Sequence, residues 1–437
     1  MSIHRRPTSL IVLTSTALIA PLAIATPSSA ATNEIHVAVG GSDRNAGTAT
    51  APKASIQAAV DAATPGTVIK VHKGTYSGQI KIKNSGTKEA RIHLTNANDG
   101  EVVLTSNQPA ESCSNTRPSP RRTIMISGAS NWIIRGLTIV NGVYIMGKKA
   151  NAAYSWHANK VKANNWQDRR KVPGRATRNP ASTPQVVPYL RRVTGESKMV
   201  SADRIEFYNN KIRGRGIYAA LSSYGVVRDN TISDIICGSG PGLWVMTFSD
   251  RWTVTGNDIS RIAPGSVHFM HEGIRFGTAS NYNYIADNYV HDLNGDGRAY
   301  NTDVDSSFNL FQRNRANNVA IGYSDQMAGW GNTWQNNAVT NFRKFGYALR
   351  MLDLHFQTPS KNSSTNGVIL RCNRASAPVG TAKALGVGGS MNARIAGNWF
   401  ESTWVSKPAR TYWGAYGNRY NGSAQPPEPK VTPTTCT

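Results

Sequence analysis

The stretch YIADNYVHDL, residues 284–293, decides the fold. Two short β-prone runs are split by Asp287-Asn288, and Val290 follows Asn288 after a single spacer. The same asparagine–spacer–apolar step recurs as RIEFYNNKI (Asn210, Ile212), GVVRDNTI (Asn230, Ile232) and WTVTGNDI (Asn257, Ile259). It continues as LFQRNRA (Asn314, Ala316), TWQNNAV (Asn337, Val339), VILRCNRA (Asn373) and RIAGNWF (Asn398, Phe400). The steps between these asparagines scatter around a period of about 25 residues, one turn of a solenoid with three short strands per turn. Each turn stacks on the last through strand hydrogen bonds, with Ile, Val and Phe pointing inward. Asparagine at a fixed bend tolerates left-handed backbone, and its amide can bond to the asparagine stacked above it. Long apolar-periodic helices between the strands are absent, which excludes an α/β architecture.

The front of the chain reads differently. His4, Arg5 and Arg6 precede SLIVLTSTALIAPLAIA, and Ser28 and Ala30 are the small residues of a cleavage site. Residues 1–30 are therefore expected to be an export signal, giving a secreted, extracellular product with no membrane span. A helix is predicted over Ser55–Ala63, with Ile56, Ala59, Val60 and Ala63 on one face, stopped by Pro65-Gly66 and followed by a strand at Val68–Val71. Such a helix covers the first open edge of a solenoid. The expected organisation is a cap and first turns over 31–123, a β-solenoid over 124–420 and a tail over 421–437. Cys113, Cys237, Cys372 and Cys436 fit up to two disulfides of unspecified pairing, with Cys436 stapling the tail back to the body.

With 49 Lys and Arg against 25 Asp and Glu, the formal charge is +24. A field of that sign gathers polyanions. Outside a cell that points to an acidic polysaccharide or wall polymer as partner; no nucleic acid partner is expected, and the protein is expected to be a monomer.

DAATPGTVIKVHKGTYSGQIKI, NSGTKEARIHLTNANDGEVVLT and SGASNWIIRGLTIVNG together resemble the N-terminal cap and first turns of secreted right-handed parallel β-helix proteins. The similarity is greatest to the polysaccharide lyase group of alginate lyases and chondroitinase B. The resemblance implies an all-β, right-handed parallel β-helix with a short N-terminal capping helix, and β-elimination on a uronic acid polymer. That group follows an acidic strand with Ser-Lys-Ser and, a turn later, Arg-His-Gly. Here the matching places hold Asp305-Ser306-Ser307-Phe308 and Ile321-Gly322-Tyr323.

β-Elimination needs a cation to neutralise the substrate carboxylate, a base for the adjacent proton and an acid for the leaving oxygen. His271, Glu272 and Arg275 lie within five residues, and Asp303 and Asp305 follow about one turn later. Read as alternate strand positions, Asp303 and Asp305 project to one side and, with Glu272, would hold Ca2+. Arg275 or Arg350 would bind substrate charge, and Lys344 or His271 would be the base. A basic, aromatic insertion over 143–200 would wall a groove. Trp156 and Trp166 would stack on sugars there, and Arg169 and Arg170 would clamp carboxylates. Tyr323 is a further expected substrate contact. Two alternatives stand beside the lyase. Asn301-Thr302-Asp303 resembles the NTD motif of polygalacturonase-like hydrolases, with Asp303, Asp305 and Asp325 as the acids. A non-catalytic protein that binds polyanions or cell walls needs no converging carboxylates at all.

Overall fold

The computed structural model describes residues 33–106, 120–163, 186–235, 240–262, 271–326, 329–350, 367–387, 393–401, 413–420 and 436. The signal-like segment, Cys113, Cys237, Trp166, Arg169 and Arg170 lie outside the described residues. Each coil contains three short strands. Tyr284–Ala286, Tyr289–Leu293 and Arg298–Thr302 make up one of them. Every pairing between such strands is parallel and links one coil to the next. The chain is a right-handed parallel β-helix, as the resemblance implied.

Three inward columns form the core. Ile134, Phe207, Val227, Val254, Ile285 and Phe311 stack in register through the first strands, all fully buried. Ile139, Ile212, Ile232, Ile259 and Val290 do so through the second. Val143, Ile217, Leu243, Ile274, Tyr300 and Tyr323 do so through the third. At the front, α1 (Ile56–Ala62) is capped by Ser55, whose side chain accepts from the Ala58 N–H, and buries Ile56, Ala59 and Val60. It covers the first coil on the predicted face.

The asparagine step is a ladder of primary amides. Asn288 donates both its backbone N–H and its Nδ2 to Asn314 Oδ1, at 3.1 and 3.0 Å. Asn257 donates in the same way to Asn288. The pattern runs from Asn210 through Asn230, Asn257, Asn288, Asn314, Asn337, Asn373 and Asn398 to Asn418. One expectation needs correction, because the left-handed residue is the one before the asparagine. Asn209, Asp229, Asp287, Arg313, Asn336 and Cys372 have φ between 53° and 57°. The bend thus aims the following amide inward, where it spans two coils. Cys372 is also bonded to Cys436, tying the tail to the coil as expected (Cα–Cα 5.5 Å).

The third inward column ends in polar company. Phe276, Thr302, Asp325 and Leu349 are register partners, so Asp325 faces the core. Its carboxylate accepts from Trp334 Nε1 at 3.0 Å and Asn332 Nδ2 at 3.3 Å. Burial pushes its pKa from 3.8 up to about 7, against those hydrogen bonds. Strand alternation gives the outward position to its neighbour Gln326 instead.

Two outcomes follow from this core. Asn288→Ala leaves the N–H and amide of Asn257 without an acceptor and should cost about 3 kcal/mol or more in chemical denaturation, whereas Lys88→Ala, at an exposed position, should cost about 0.5 kcal/mol or less. Because the acid form of Asp325 is favoured in the folded state, stability should decline as pH rises from about 4 to about 7, by up to roughly 4 kcal/mol. Asp325→Asn should flatten that slope in thermal melts across this pH range.

Candidate functional site

The outward face of the third strand family carries the polar cluster. Strand Glu272–Phe276 turns Ile274 and Phe276 inward and Arg275 outward. Arg275 continues an outward column of Tyr144, Tyr218 and Trp244, and Asn301 and Ser324 extend it further. Its guanidinium carbon lies 5.3 Å from the Trp244 ring centre. One Arg275 nitrogen donates to Glu272 Oε2 at 3.1 Å and another to Asp303 Oδ2. Glu272 Oε1 accepts from Arg298 at 3.0 Å and from Asn301 Nδ2 at 2.9 Å. Gln326 Nε2 donates in turn to Asn301 Oδ1. Burial opposes the charge on Arg275, but the Asp303 and Glu272 carboxylates overcome it and raise its pKa. Buried ions persist when they are paired in this manner.

Asp303 and Asp305 do not sit on a strand. The strand ends at Thr302, and Val304 and Asp305 both adopt left-handed backbone, with φ of 42° and 66°. This is a stacked corner, since Thr247-Phe248 and Thr278-Ala279 turn likewise in the two preceding coils. The corner splits the two acids. Asp303 packs over Gly277, where a Cβ would collide with its carboxylate. Asp305 instead meets His157 Nε2 at 3.3 Å, both side chains being about 1% exposed.

His157 belongs to the insertion, which forms α2 (Ala150–Ala163) and α3 (Val186–Thr194). Ala150 and Ala153 of α2 and Val186 and Leu190 of α3 pack with Tyr144, Tyr218, Trp244, Met246 and Phe248. The insertion is thus a helical pair lying on the aromatic part of the outward column, next to Arg275. Trp156 is half-buried against Tyr189 and Phe248, at ring distances of 5.9 and 6.4 Å. It is part of that packing, with the rest of its side chain exposed.

His271 precedes Glu272 and is buried. Its Nδ1 lies 3.0 Å from the Asn294 carbonyl oxygen, which can only accept. In the neutral ring the proton is therefore on Nδ1 and the lone pair on Nε2. Nε2 is itself buried and has no hydrogen-bond partner among the described residues. Lys344 pairs with Asp296, both half exposed at a bend, and its described contacts do not include the Arg275 cluster. The Arg350 backbone pairs with Gln326, and its side chain lies outside the described residues. Tyr323 is a correction. It is 1% exposed, stacked between Tyr300 and Tyr347 in the core, with its hydroxyl on the Asn314 and Ala338 carbonyls. No substrate reaches it there.

The expected calcium site does not fit this arrangement. Both Glu272 oxygens already accept from cations, Asp303 binds Arg275, and Asp305 binds His157. Among the described residues no group of three His, Cys, Asp or Glu could hold a metal. The expected trio of hydrolytic acids is likewise dispersed, with Asp325 inside the core, Asp303 on Arg275 and Asp305 on His157. Sequence reasoning missed Arg298 and Asn301, which a shift of one coil from Glu272 and Arg275 would have exposed. His157 had no such signal, being 148 residues from its partner.

Comparison with known proteins bears on the first third of the chain. Residues 35–177 match the family described as "Pel9A-like, right handed beta helix region". Over 154 residues the chain is 33% identical to pectate lyase PEL9 of Emericella nidulans, covering 33% of this chain and 37% of that protein. It is 28% identical over 128 residues to the uncharacterized protein YwoF of Bacillus subtilis, covering 27% of each. The match thus spans about a third of the length of these curated relatives. Among solved structures, an alginate lyase from Paenibacillus sp. aligns at 16% identity and a TM-score of 0.45, over 84% of this chain and 95% of its own. The chain is a right-handed parallel β-helix whose N-terminal third is similar to the Pel9A-like β-helix region.

Proposed function

We propose that the protein is a secreted polysaccharide lyase that cleaves an acidic, uronic acid-containing polymer by β-elimination. The observation that carries this reading is the placing of His271, with its lone pair fixed on Nε2, directly before the Glu272–Arg275–Arg298 charge cluster. The similarity of the N-terminal third to a pectate lyase and the net charge of +24 support it.

In this reading Arg275 and Arg298 exchange their protein carboxylates for the substrate's. Bidentate pairing withdraws charge from the uronate and acidifies the proton next to it. His271 Nε2 takes that proton. The electron pair left behind forms the carbon–carbon double bond as the glycosidic C–O bond breaks, and the departing oxygen takes a proton from water. Glu272 and Asp303 hold the two guanidinium groups in place between turnovers. Arginine supplies the positive charge, so no step needs calcium.

Incubation with a panel of uronic acid polysaccharides should give the ultraviolet absorbance of an unsaturated product, unchanged by a chelator. His271→Asn should cut turnover by about 10²–10⁴-fold, with an unchanged melting midpoint and little change in KM. Arg275→Lys, which keeps a charge but loses the fork, should lower kcat as well as raise KM. New reducing ends without that absorbance would instead indicate hydrolysis. Wild-type turnover in the His271 variant would remove it as the base.

A further inference from the structure

A second outward column, on a different strand family from the cluster above, is cationic and aromatic. Tyr289, Arg315, Ala338, Arg374, Trp399 and Arg419 are successive register partners, one per coil. At roughly 4.8 Å per coil the row extends about 24 Å along the solenoid axis. Arg315 lies over the Tyr289 ring at 4.7 Å, and Arg374 over the Trp399 ring at 4.4 Å. Arg315, Arg374 and Arg419 are exposed, and Trp399 is 42% exposed, one of few large apolar side chains so placed. The carboxylate bonded to Arg374 is Glu401, at 3.3 Å.

We propose that this row is a binding strip for a linear carboxylated polysaccharide, separate from the Arg275 cluster. A guanidinium lying on an aromatic ring is held in place while its N–H edge stays at the surface, ready to take a carboxylate through two parallel bonds. The part of the Trp399 indole left exposed beside Arg374 offers an apolar surface to the C–H side of a sugar ring. Rigid strands fix the spacing of these groups, so little ordering entropy is lost when a chain binds along them. The row is one residue wide, with Ala338 separating a Tyr289–Arg315 pair from an Arg374–Trp399–Arg419 run. That suits a single extended chain better than the two phosphate rows of a nucleic acid duplex. The overall charge of +24 draws such a polyanion in. The strip would hold the protein on a polymer while its other face stays free, and it does so whether or not the cluster cleaves.

The test is equilibrium binding of the full protein to immobilised polygalacturonate, with single-stranded oligodeoxynucleotide and neutral dextran as comparison surfaces. The variants are Arg315→Ser/Arg374→Ser and Trp399→Ser, all at exposed positions, with folding checked by the melting midpoint. The double arginine variant should bind polygalacturonate about tenfold or more weakly, with a shallower dependence on salt. Trp399→Ser should weaken binding with its salt dependence kept. Wild-type affinity in both variants would overturn the strip. So would tighter binding of wild type to the oligonucleotide than to polygalacturonate, or no preference over dextran. These readouts need no turnover, so a failure of the lyase assay leaves them intact.

Discussion

A buried primary amide has to find partners for two donors and an acceptor, and in this protein that requirement organises the coils from Asn210 to Asn418. Each ladder asparagine reaches back to a strand carbonyl, as Asn288 does to Val254 at 2.9 Å, and forward to the next asparagine. The only place that satisfies both is the inner corner between two coils. One asparagine per coil therefore locks the register of each coil on its neighbour. Insertions as different as the 20 residues between Asn210 and Asn230 and the 36 between Asn337 and Asn373 leave that register unchanged. Once register is fixed, every strand position becomes a column, and chemistry can be assembled from residues a coil apart.

The outward columns use this freedom in two ways. On the third strand family Arg275, Glu272 and Asp303 are buried and, with the partly buried Arg298, pair with one another in a fixed geometry. On the second, Arg315 and Arg374 rest on aromatic rings and stay in contact with solvent. The excess of cations over acids in the composition thus does not describe one uniform field. Part of the positive charge is cancelled within the cluster, and part stands in ordered rows at the surface.

The sequence made the solenoid legible because its period and its apolar residues are local signals. Ser55, Ile56, Ala59 and Val60 announced the capping helix in the same way, and Val68–Val71 its following strand. What could not be read was direction around the coil. Asp303-Val304-Asp305 has the alternation of a strand, but two left-handed residues turn it into a corner and send its acids apart. Tyr323 and Asp325 fall one residue on the wrong side of the same alternation and face the core. The bulk of the insertion gave no period at all. Its two helices take their position from packing on Tyr218, Trp244 and Phe248, a long-range effect with no local trace.

The bond between Cys372 and Cys436 also determines how the molecule carries load. Residue 436 is attached not to the final coils but to the one that holds Asn373, upstream of the coils of Asn398 and Asn418. Tension applied at the C-terminus therefore enters at Cys372 and bypasses the last turns. A solenoid ordinarily unravels from its end, one turn at a time, because a terminal turn has a neighbour on one side only. Here the covalent path makes that end the part least exposed to pulling.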